Sequence, residues 1–171
     1  MAKRLDNNAI LSITATIVSI CALFVATYQT VLMRQQQNAA VWPKLVINNP
    51  YVEGIGMVPF YKLSVRNVGI GPAIIRGLAI TYNGRNYADM DKYARFVLKS
   101  HSALDSMTYD YSDLLPEEVI PQGESKLLFD TSKSQFAQYF INNRKQFTIR
   151  ITYESIYGEQ WQVYHPQSKA K

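Results

Sequence analysis

Cysteine is almost missing from this chain. Cys21 stands alone inside an apolar stretch, so no disulfide framework can form to report an oxidising compartment. A domain of this size folds on its core alone, so the absence does not exclude such a compartment either. Cys21 reads as a packing residue. Histidine is nearly as scarce: His101 and His165 lie 64 positions apart. A zinc site needs several His or Cys ligands, and that set is not here. His101 is expected at a helix end and His165 at the end of the last strand. No nucleophile-elbow pattern and no Gly-Lys-Ser/Thr loop occur, so no catalytic, cofactor or metal residues are assigned. No long run of Lys or Arg appears, which removes the main electrostatic signal for nucleic acid. No nucleic-acid partner is expected.

Charge is also absent from Asn7 to Met33, and Ile10 to Ala26 is mostly apolar. As a helix, Ile10 to Met33 would measure roughly 36 Å at 1.5 Å per residue, enough for a hydrocarbon core about 30 Å thick. A cleaved signal peptide has a shorter apolar core and a small-x-small cleavage site, whereas here the run continues through "VATYQTVLM". The expectation is a single transmembrane helix over residues 9–33 with the lipid bilayer as partner, preceded by a tail, 1–8. Lys3 and Arg4, partly offset by Asp6, precede the span; Arg34 and then Lys44 follow it. The positive-inside rule places the N-terminus in the cytoplasm and the rest of the chain outside it. Residues 1–40 hold three basic and one acidic residue, and the remainder 15 and 12. Attraction to anionic headgroups is therefore mild.

Within the span, Ser12, Ala15, Thr16, Ser19, Ala22 and Ala26 fall near one helical face. Ala15 with Ser19, and Ala22 with Ala26, repeat a small-xxx-small spacing that lets helices approach closely in lipid. This face is read as packing on another span, from a second copy or from a different membrane protein. The competing reading is that Ser, Thr and Ala are simply tolerated there.

A polar connector, 34–43, follows; Gln, Arg and Ala favour prolonging the helix by two turns until Trp42 and Pro43 end it. Tyr28 and Trp42 suit interfacial positions. From Lys44 the period changes to two. "YKLSVRN" and "QFTIRITYE" alternate apolar and polar residues, as half-buried antiparallel strands do. "ITYNGRNY" places Asn83-Gly84 where a two-residue hairpin needs positive φ. "SIYGEQWQVY" supplies a second hairpin through Gly158, and "KLVIN" and "SKLLF" two further strands. Asp89 can cap a helix whose face is Met90, Tyr93, Ala94 and Val97. Ser132 with Gln135 resembles a capping box ahead of Phe136, Tyr139 and Phe140. The sum is about seven strands with two short helical insertions. It predicts a mainly β fold over 44–166, an immunoglobulin-like antiparallel β-sandwich, with a C-terminal tail at 167–171.

"RNVGIGPAII" carries Gly69-x-Gly71, a spacing that can wrap a phosphate. Ile74 occupies the third glycine position of a dinucleotide fingerprint, and a strand-like run follows rather than a helix. Asn67, Gly69, Gly71 and Pro72 therefore read as a structural turn. Asn67 would bond neighbouring backbone, and one glycine would take positive φ. "DSMTYDYSDLLPEE" gathers Asp105, Asp110, Asp113, Glu117 and Glu118. Such oxygens can hold calcium, but EF-hand spacing and its glycine are missing, so a solvated acidic loop is preferred. Tyr109, Asp110, Tyr111 and Asp113 form a candidate contact loop, because tyrosine is enriched at interfaces; most other tyrosines suit half-buried sheet positions.

"NVGIGPA" after a strand, behind one N-terminal span, together with "ITYESIYGEQW", is similar to a loose set of uncharacterised bacterial membrane-anchored proteins. The resemblance covers the span, residues 60–80 and 147–161. It implies architecture and carries no functional residue. The expected role is a membrane-anchored, non-enzymatic binding or accessory protein, whose sandwich recognises a protein or envelope partner. A sensor or effector of a stress or defence system, acting through assembly, is the alternative, and a hydrolase with an unrecognised site ranks last.

Overall fold

The computed structural model describes residues 7–51, 58–101, 104 and 107–165. Lys3, Arg4, Asp6, Asp105 and the 167–171 tail lie outside the described residues. The chain divides into two compact units after Ala40.

The first unit is one helix, α1, Asn7–Ala40. It continues beyond the 9–33 span through the polar connector. Arg34–Ala40 contains no Gly or Pro, and the residue before Pro43 is pushed out of the helical region. Its most apolar window has a mean hydropathy of 2.4, and none of its residues is buried. The helix is long and apolar enough to cross a membrane. Its hydroxyls turn back onto the helix: Thr16 donates to the Ser12 carbonyl and Ser19 to the Ala15 carbonyl, both at 2.8 Å. A polar group satisfied this way suits an apolar surrounding.

The second unit holds nine strands among the described residues, in two antiparallel sheets. β1 (Leu45–Asn48), β2 (Tyr61–Asn67), β7 (Ser125–Thr131) and β5 (Asp110–Tyr111) form one, in the order β1-β2-β7-β5. β4 (Arg85–Tyr87), β3 (Ala73–Tyr82), β8 (Phe147–Glu154) and β9 (Gln160–His165) form the other, and β6 (Val119–Ile120) pairs with the start of β3. The two strands beyond the expected seven are β5 and β6. Each has two residues, too short for any alternation to register in sequence.

The alternation appears as burial. In β2, Tyr61, Leu63 and Val65 are fully buried while Lys62 and Arg66 face water. Asn83 and Gly84 take φ of 48° and 76°, as the β3–β4 hairpin requires. α2 (Met90–Ser100) starts at Asp89, whose carboxylate accepts the Lys92 N–H at 2.7 Å, and buries Met90, Tyr93, Ala94 and Val97. The Ser132–Gln135 capping box does not form. β7 stays paired through Thr131, so α3 (Ser134–Asn143) begins later, with Lys133 as a cap that supplies no side-chain bond. Helices and sheets share one core. Tyr93 of α2 stacks on Phe147 of β8 at 5.0 Å and meets Phe140 of α3 edge-on; Phe140 in turn stacks on Tyr61 of β2.

Candidate functional site

The turn after β2 is a corner between sheets, since β2 ends in one and β3 begins in the other. Its centre is Asn67, fully buried. The Asn67 Oδ1 accepts the N–H groups of Lys44 (3.2 Å) and Gly69 (3.0 Å), and Nδ2 donates to the carbonyls of Gly71 (2.8 Å) and Ile120 (2.9 Å). Both side-chain protons and both lone-pair positions are thus used. The backbone adds bonds from Ile70 and Gly71 N–H to the Trp42 carbonyl and from Val68 N–H to that of Lys44. The corner therefore clamps Val41–Lys44, the segment that follows α1 in the chain.

Neither Gly69 nor Gly71 takes positive φ; among the described glycines that conformation belongs to Gly84, Gly123 and Gly158. The expected reason for these glycines is replaced by another, close backbone approach. A Cβ on Gly71 would lie 1.9 Å from the Val41 carbonyl oxygen, and one on Gly69 would lie 2.3 Å from the Lys44 nitrogen. Pro72 leads directly into β3.

The tyrosine-acid stretch does not act as one free loop. Tyr109 packs on Phe129 and Phe136, with ring centroids at 5.4 and 5.8 Å, and its hydroxyl donates to Asp91 at 2.7 Å. Burial works against ionisation of Asp91, but the hydrogen bonds from Arg95 and Tyr109 outweigh it and hold the carboxyl below its ordinary range. Asp110 and Tyr111 are edge strand β5, paired with Asp130 and Phe129. Asp110, Tyr111 and Asp113 stay exposed, while Tyr109 is half-buried, with its ring 6.0 Å from that of Tyr111. Glu117 is held by Arg76, and Glu118 by Lys126 and the Leu115 N–H. Among the described residues, no three His, Cys, Asp or Glu side chains gather where a metal could bind.

Two polar clusters escaped the sequence reading. Arg76 is the extra residue of a β-bulge, because Ile75 pairs with Tyr153 and Gly77 already with Thr152. Its guanidinium reaches Glu154 at 2.5 Å as well as Glu117. The bond from Arg76, more than burial opposes it, holds the Glu154 carboxyl below its ordinary range. The second cluster joins β1 to β9 through Asn49, whose Nδ2 lies 3.2 Å from the Tyr61 hydroxyl and 3.1 Å from His165 Nε2. His101 is the C-cap of α2, with its ring against Tyr139.

Burial lowers the His165 pKa below its ordinary 6.5. Its neutral form is the one that accepts from Asn49. The stabilisation is therefore fully present above about 6.5, the unfolded value, and is lost as pH falls through the depressed folded value. The His165→Gln variant is expected to lose less stability than the parent chain on acidification from pH 7.5 to 5. Parallel thermal melts of both chains at these pH values check this; equal losses would remove the assignment.

A concavity of about 480 Å³ on the outer face of the second sheet is lined by Thr81, Thr148, Arg150 and Tyr164 among others. A groove of about 610 Å³ runs beside α3, lined by Gln138, Tyr139 and Asn142 with Leu104. In comparison with known families, the model of a domain of unknown function (DUF8453) matches residues 8–167. The match begins inside α1 and runs past β9, so helix and sheets belong to one family pattern. No curated protein matches the chain.

Proposed function

For a chain that belongs to the DUF8453 family, we propose the role of a membrane-anchored, non-enzymatic binding or accessory protein. α1 is its single span, with the N-terminus in the cytoplasm and the second unit outside. The two sheets serve as an immunoglobulin-like β-sandwich that recognises a protein or envelope partner. Repeated crossing of the chain between sheets, at β2–β3, β4–β5, β5–β6, β6–β7 and β7–β8, supports the sandwich reading. The likeness to bacterial membrane-anchored proteins belongs to the same proposal. The observation that carries it is α1 itself: apolar, unburied along its described length and included in the family match. A helix of that kind needs an apolar surrounding, and a bilayer supplies one.

The span has a second task in this reading. Ser12, Ala15, Thr16, Ser19, Ala22 and Ala26 form its packing face against a second copy or another membrane protein. The Thr16 and Ser19 hydroxyls, bonded within the helix, favour a smooth small-residue surface. Crosslinking the full chain in intact membranes is expected to trap a stoichiometric species, which the double variant Ala15→Leu/Ser19→Leu loses. A chain recovered only as an uncrosslinked monomer, or a species indifferent to the double variant, would overturn the packing role.

A further inference from the structure

Six exposed apolar side chains of the second unit gather at one end, while others, such as Val58 and Tyr164, lie elsewhere on it. Val68 and Ile70 are 50% and 53% exposed on the Asn67–Pro72 corner. Trp42, 46% exposed, accepts backbone bonds from that corner. Val119 lies opposite Ile74 at the start of β3, and Ile74 also pairs with Glu154, next to the β8–β9 turn that carries Ile156 and Tyr157. All three of Val119, Ile156 and Tyr157 are at least half exposed. The other end of β3 carries the polar Asn83-Gly84 hairpin, ten residues away, about 33 Å along a strand.

The apolar end is also where the chain arrives from α1. Trp42 comes nine positions after Met33, the last residue of the uncharged stretch. Nine helical residues cover about 13 Å, while the headgroup layer on each side of a bilayer is roughly 6 Å deep. Chain length alone therefore keeps Trp42 within about 7 Å of the outer edge of the headgroups of a membrane that α1 spans. Trp42 and Tyr157 are of the residue types that settle at membrane–water interfaces. Of the carboxylates nearby, Glu117 and Glu154 share Arg76 and Glu118 is paired with Lys126, so most of the negative charge that lipid phosphate would meet is offset.

We infer that this end of the domain docks on the bilayer surface, with Trp42, Val68, Ile70, Val119, Ile156 and Tyr157 facing the headgroups. The inference rests on the anchoring proposed above. Contact is apolar, so it needs no anionic lipid.

The test uses the full chain carrying Cys21→Ala in phosphatidylcholine vesicles. Single cysteines are introduced by Ile70→Cys, Ile156→Cys, Asn83→Cys or Leu23→Cys and labelled with a fluorophore. Nitroxide lipids quench either at the headgroup or at mid-chain. Headgroup nitroxide is expected to cause loss of emission at positions 70 and 156, mid-chain nitroxide at 23, and neither at 83. Quenching at 23 with none at 70 and 156 would refute the docking and leave the anchor standing. No quenching at 23 would refute both. Labels at 70 and 156 that are shielded in native membranes but not in pure lipid would assign this end to a protein partner instead, which also overturns the inference.

Discussion

Gly71→Ala is expected to destabilise the second unit by about 3–5 kcal/mol or to prevent its folding, because its added methyl meets the closest approach among the described glycines. The added carbon would sit 1.9 Å from the Val41 carbonyl oxygen, with the Val41 carbonyl carbon at 2.4 Å. Both are backbone atoms, so no side-chain rotation relieves the overlap. The segment must move by more than an ångström, which breaks the bonds from Ile70 and Gly71 N–H to the Trp42 carbonyl. Gly77→Ala is the matched control, because nothing lies within 4 Å of its Cβ position; its effect should stay within about 0.5 kcal/mol. Denaturant unfolding of the full-length variants in detergent, followed by near-ultraviolet signals of the β unit, separates the two. Equal stabilities would show that close approach is not why glycine stands at 71.

Asn67→Ala should cost about 3–4 kcal/mol, since it strands buried backbone groups that the amide satisfies at four points. Asn67→Asp distinguishes loss of bonds from loss of shape. The substituted carboxylate keeps both acceptor positions but turns negative oxygen towards the Gly71 and Ile120 carbonyls. At pH 7 it is expected to be at least as damaging as alanine. Two carbonyls and full burial raise the substituted group's folded pKa above its unfolded value, so the protonated form is favoured by folding and stability returns as pH falls through that raised value. Melts from pH 7 to 4 measure this. A variant that loses stability monotonically on acidification, as the Asn67→Ala chain would through its other carboxylates, would contradict the donor role of Nδ2.

These two residues also mark how far the sequence could be followed. The corner was legible, since Asn, Gly and Pro between two apolar runs signal a turn. Why the glycines stand there was not, because their neighbour is Val41–Lys44, over twenty positions earlier, and no local pattern announces it. The inward contacts of Tyr109 were hidden in the same way. Tyr109 follows the pattern of an exposed contact residue, yet Phe129, Phe136 and Asp91 lie where it can turn inward. The Ser132–Gln135 box was defeated by the pairing of β7 through Thr131, a tertiary demand that overrode a local preference.

The sequence by itself determined the features whose causes lie within a few positions. The length and apolarity of α1, the alternation of β2 and β8, the Asn83-Gly84 hairpin and the Asp89 cap all depend on neighbours two to four residues apart, or on composition alone. The tertiary structure decided what joins distant segments: the Asn67 clamp, the Arg76–Glu154 pair across a bulge, the Asn49–His165 contact, and the gathering of apolar turn tips beside Trp42. Hydrogen bonds and contact distances of a few ångströms govern these. Chain folding, not sequence spacing, brings their partners within that range.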